Sequence, residues 1–91
     1  MMIFTRQFAT LLDARVNLAE ALATLYKQTE NPVLKEAIAS VIDEVEAGNS
    51  LSRALAKQEG VFSEFYVNMI KSAEVTGRLS EVLDFLADYL E

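Results

Sequence analysis

The acidic side chains are the groups in this sequence whose spacing comes closest to chemistry. Asp43, Glu44 and Glu46 fall within one helical turn, and Glu36 stands about two turns earlier. Helical spacing sets Asp43 and Glu46 side by side, as two oxygen donors for a hard cation such as calcium. Calcium wants about six to eight oxygens, and no glycine-bearing ligand loop follows to supply the rest. A solvated face is therefore the leading reading of Asp43 and Glu46, and a cation shared between subunits the second. Asp84, Asp88 and Glu91 read the same way. Carboxylate pairs for acid–base work need a cleft and a raised pKa, and scattered surface acids supply neither. Ser40, Ser50, Ser52, Ser63, Ser72 and Ser80 have no general base to activate them, because the chain contains no histidine. Gly48-Asn49-Ser50 is too short to cradle a phosphate and lacks the lysine of a P-loop. No catalytic residue and no cofactor is expected.

Glu74 stands apart from the other acids. It lies just before a helix-ending glycine, where negative charge opposes the helix dipole by about 0.3–1 kcal/mol. An acid held there has two uses. It can accept N–H groups at the start of the sixth helix, which is the leading reading, or it can meet a basic side chain of a partner.

Composition narrows the rest. The 91 residues make one domain, 52% apolar, with a net charge of −6. That charge argues against nucleic acid, which wants a basic face, and against adsorption on anionic lipid. Cysteine is absent, so disulfides and thiolate metal sites are excluded. The longest uncharged stretches are a fraction of the ~20 residues a membrane helix needs, and no basic start precedes an apolar stretch as in a signal peptide. The Met1-Met2 start and the stop inside a helical pattern at Glu91 suggest the edges of a fragment.

Positioning these groups falls to helices, because every informative segment has helical period and none alternates like a strand. Phe4, Phe8, Leu11 and Leu12 make the first stripe. Asn17, with Glu20 three residues on, starts a second helix with Leu18, Ala21, Leu22, Leu25 and Tyr26 on its apolar face. Asn31-Pro32 is a cap followed by a proline at the first helical position. Leu34, Ile38, Val41, Ile42 and Val45 follow, and Gly48 closes that helix. Ser50 caps a short fourth helix through Leu51, Ala54 and Leu55, closed by Gly60. Phe62 and Ser63 open a fifth, with Phe62 placed to staple onto Val67. Tyr66, Met69, Ile70 and Ala73 share its inner face, and Gly77 ends it. Leu79 opens a sixth helix with Val82, Leu83, Leu86 and Leu90 inward. The expected fold is all-α, a six-helix antiparallel bundle. Phe85 and Tyr89 form a second stripe on the sixth helix, and Met2, Ile3 and Phe4 add apolar surface on the first. Plain core is the leading reading of this surplus, and a contact surface for a second subunit or for membrane-proximal helices the alternative. Leu18-to-Leu22, Leu51-to-Leu55 and Leu79-to-Leu83 share the form L-[AS]-x-[AV]-L. Their unequal spacing reads as three helix starts obeying one packing rule, and not as a solenoid repeat.

The ordered pieces F-T-R-Q-x-A-T-L-L from Phe4, N-P-x-L from Asn31 and G-x-S-L-S-x-A-L from Gly48 carry a resemblance. So do F-x-x-x-Y-x-x-M-I from Phe62 and E-x-x-G-x-L-x-E-V-L from Glu74. Together they resemble the cytoplasmic F domain of the inner-membrane platform proteins of type II secretion and type IV pilus systems. The Phe4-Thr5-Arg6-Gln7 start is more like the first of that family's two copies. The resemblance implies that residues 1–91 are one cytoplasmic helical domain of a longer polytopic protein, at the cytoplasmic face of a bacterial inner membrane. The chain would be tethered to that membrane only by segments outside it. The implied role is a scaffold that organises pilus or pseudopilus assembly. The implied partners are a cytoplasmic ATPase, sister inner-membrane subunits, pilin-like subunits and a possible second copy, with Glu74, Phe85 and Tyr89 as contact candidates. The residues alone leave open a stand-alone helical adaptor or an acidic cation-binding module. Three positions depart from the family's habit. A proline usually stands at Ser63 and a glycine at Ala73, and both replacements suit a helix. Ala14-Arg15-Val16-Asn17 stands where the family usually has alanine-glycine and then a proline. A left-handed arginine costs about 1–2 kcal/mol, so a differently built first turn is expected there.

Overall fold

The computed structural model describes residues 2–58 and 60–90. Among them lie six helices and no strand: α1 (Met2–Asp13), α2 (Leu18–Gln28), α3 (Pro32–Glu46), α4 (Leu51–Ala56), α5 (Glu64–Thr76) and α6 (Leu79–Leu90). Glu91, Met1 and the side chain of Met2 lie outside the described residues.

Polar caps start four of the six helices. Asn17 accepts the Glu20 N–H at 2.9 Å, and Asn31 accepts those of Val33 and Leu34 ahead of which Pro32 needs no partner. Ser50 and Ser63 accept from Arg53 and Tyr66. Each satisfies donors that a helix start leaves orphaned, an effect of about 1 kcal/mol per cap.

Each helix packs on its chain neighbour, and α6 returns to pack on α1, closing a ring. Side-chain pairs fix the directions. Arg6 near the start of α1 meets Asp88 near the end of α6, and Phe65 at the start of α5 meets Tyr89. Helix α6 therefore runs antiparallel to both α1 and α5, and all six helices enclose a shared interior. That interior takes one large side chain from every helix: Phe8, Leu22, Ile38, Leu55, Ile70 and Leu83 are each less than 2% exposed. Phe62 lies against Phe4 and Tyr66, with ring centroids 5.8 and 5.3 Å apart, which joins the α5 entry to α1.

The three L-[AS]-x-[AV]-L segments open α2, α4 and α6, with Leu18, Leu51 and Leu79 as the first helical residues. Their partners Leu22, Leu55 and Leu83 are all buried. The body measures 28 × 28 × 26 Å, so the echo reflects one packing rule and not a solenoid, which would be elongated.

Four expectations need correction. Tyr26 is 37% exposed, with the Lys35 ammonium 4.8 Å from its ring centre, so it covers the α2–α3 hairpin from outside. Leu90 is exposed, and Ala87 takes the inward position instead. Phe85 and Tyr89 are exposed too, against the plain-core reading. The fourth concerns Arg15, which is left-handed after all, with φ 66°. The Val16 N–H reaches back to the Leu11 carbonyl and the Arg15 N–H to that of Leu12. This is the Schellman pattern. Asn49 to Glu44 and Gly48 to Val45 repeat it at the end of α3, with Gly48 in the left-handed place. Two satisfied carbonyls and the packing of Leu11 and Val16 on the core hold the arginine where a glycine would sit without strain.

Candidate functional site

A surface of three aromatic rings crosses α5 and α6. The tight link at Gly77 makes it possible. With φ 74°, Gly77 lets its own N–H and that of Arg78 both bond the Ala73 carbonyl, and α6 starts at once alongside α5. Phe65, in the first turn of α5, then comes level with Tyr89, in the last turn of α6. Their ring centroids are 5.1 Å apart, and Phe85 stacks on the same Tyr89 at 6.4 Å and 23°. Exposure is 45% for Phe65, 50% for Phe85 and 65% for Tyr89. Rings of this size offer on the order of 300 Å² of apolar surface together at such exposure, a patch large enough to mark an interaction site. Aromatic rings are also the side chains that carry binding energy at protein interfaces.

Glu74 is used differently. Its carboxylate accepts the backbone N–H of Ser52 at 3.0 Å and also the Ser52 hydroxyl. The expected intramolecular bond is present, but to the start of α4 and not of α6. Ser52 is the second residue of α4, where the N–H is an orphan. The carboxylate thus opposes the dipole of its own helix and complements that of α4, and the two charged hydrogen bonds outweigh the cost.

A second interior polar contact joins α1 to α5. The Thr5 and Tyr66 hydroxyls lie 2.9 Å apart, with Thr5 0% and Tyr66 3% exposed. Burial pushes the Tyr66 phenol up to about 12, and the Thr5 hydrogen bond offsets only part of that.

The candidate cation pair gains no company. Asp43 and Glu46 are both exposed, and no group of three or more acids suited to a metal exists among the described residues. Glu44, between them in sequence, turns to Lys57 at 2.9 Å and to Asn49. The Lys57 hydrogen bond holds its carboxyl below the usual range. On α6, Asp88 pairs with Arg6. Burial, then the nearby Asp13 carboxylate, raises Asp84.

Phe65, Ser52 and Thr5 were not singled out from sequence. Phe65 carried a signal, since it falls off the stripe of Tyr66, Met69, Ile70 and Ala73. Ser52 and Thr5 carried none, because their partners lie 22 and 61 residues away.

Comparison with known proteins follows the same lines. Residues 4–91 match the family described as "Type II secretion system (T2SS), protein F". The chain is 45% identical over 89 residues to a type IV pilus assembly protein PilC of Thermus thermophilus, covering 98% of this chain and 22% of that protein. It is 42% identical to a type II secretion system protein F of Xanthomonas campestris pv. campestris, covering 97% of the chain and 22% of that relative. A PilC of Myxococcus xanthus is 39% identical over 99% of the chain and 22% of its own length. The chain therefore spans about a fifth of the curated relatives it matches.

Proposed function

Because this chain belongs to the type II secretion system protein F family, we propose that it is a scaffold domain of the inner-membrane platform around which a pilus or pseudopilus is assembled. In this reading it lies on the cytoplasmic side, as one domain of a polytopic protein, and carries out no reaction. It works by being gripped: a cytoplasmic ATPase and sister platform subunits bind it, and the membrane segments belong to other parts of the protein. No helix among the described residues is long and apolar enough to cross a membrane, which suits a domain tethered from outside itself.

The observation that carries the proposal is the exposed surface of Phe65, Phe85 and Tyr89 on a bundle whose interior needs none of them. A protein that acts through contacts must leave some apolar surface uncovered until its partner arrives. The test is the double variant F85D/Y89D in the full-length protein, in the cell that makes it. Pilus or secretion output and co-purification of the ATPase are expected to fall at least tenfold, while the purified domain keeps its helical circular dichroism. Undiminished assembly and ATPase recovery with this variant would remove the surface from the proposal.

A further inference from the structure

A second surface lies on the opposite flank of α5. Helix α4 has six residues and α5 thirteen, lengths of roughly 9 and 20 Å at 1.5 Å per residue. The short helix cannot cover the long one, and a groove of about 770 Å³ runs between them. Ala56, Phe62 and Val67 give it an apolar floor, and Arg53 from α4 and Lys71 from α5 stand along it. Neither cation has a carboxylate within ion-pair distance among the described residues. Glu44 hydrogen-bonds Lys57 and Asn49, and the Arg53 charge acts on it from beyond ion-pair distance. Among the described lining residues Glu64 is the one acid, against the two cations Arg53 and Lys71.

We infer that this groove receives an acidic, amphipathic peptide segment of another protein. Two cations from different helices ask for carboxylates spaced along a chain. The apolar floor between them rewards a hydrophobic side chain, which free phosphate and nucleic-acid backbone lack. Glu64 further disfavours a uniformly negative ligand. A segment carrying acids on either side of leucine or phenylalanine meets all three conditions. This surface is separate from the aromatic one, and the inference does not depend on the scaffold reading.

The test uses the 91-residue chain with ¹⁵N label and a twelve-residue peptide with glutamates flanking a Leu-Phe pair. Amide shifts are expected in Ser50–Ala56 and across the α5 half of the groove, from Gly60 to Lys71. The double variant R53E/K71E is expected to bind at least tenfold more weakly and to prefer the same peptide with lysine in place of glutamate. Four results would overturn the inference. One is no shift with about 1 mM peptide, a concentration that detects even weak sites. The others are equal shifts with the lysine peptide, the same shifts with inorganic phosphate alone, or shifts in this groove that grow with protein concentration and no peptide, which would make a second copy the occupant.

Discussion

Phe65 and Tyr66 are adjacent on α5, and their fates are the reverse of their polarity. The ring that carries a hydroxyl is 3% exposed and the purely apolar ring 45%. Helical geometry turns successive residues about 100° apart, so one of the two had to face out. Tyr66 tolerates burial because Thr5 meets its hydroxyl, and it packs on Phe62 in the same step. Phe65 rests on Tyr89 and otherwise faces water. Phe65 therefore has less to contribute to the interior than Tyr66 does.

Replacing each ring by alanine breaks the comparison most directly. Tyr66→Ala removes a buried aromatic and is expected to cost about 3–5 kcal/mol in urea unfolding. Phe65→Ala is expected to cost under about 1 kcal/mol. Equal losses would show that the outer ring is part of the core. Alkaline titration comes next. The folded phenol titrates near 12 and an unfolded one near 10. The raised folded value means the unfolded chain ionises first, so the contribution is complete below pH 10 and disappears as pH rises toward 12. The expected loss is about 2–3 kcal/mol, absent in Tyr66→Phe. A wild-type protein with flat stability across that window would place the hydroxyl in water. Thr5→Val comes last, stranding the Tyr66 hydroxyl at a cost of about 1–3 kcal/mol. Adding Tyr66→Phe is expected to recover most of that, as measured by a double-mutant cycle. No recovery would mean that the hydroxyl pair is incidental.

Much of the fold was legible because its signals are local. Asn17, Asn31, Ser50 and Ser63 each cap the helix that starts beside them, and Leu18, Leu51 and Leu79 open helices in step with their own stripes. Arg15 was misjudged for the same reason. A residue-level rule disfavours a left-handed arginine, and the two closing hydrogen bonds with the packing of Leu11 and Val16 against the core override it. The bond from Glu74 to α4 was hidden by distance along the chain, since nothing near Glu74 in sequence names Ser52. The aromatic surface was half visible. The second stripe of α6 could be read from spacing, but whether it faced a neighbour or solvent depended on which flank of α6 α1 and α5 occupied.

The closure of α1 onto α6 has a mechanical consequence. Arg6 and Asp88 meet at 2.8 Å near the outer ends of their antiparallel helices, so the beginning of α1 and the end of α6 lie at the same pole. A pull between those two helix ends peels the seam open one contact at a time, starting at that ion pair, where a seam loaded lengthwise would have to slide all its contacts at once.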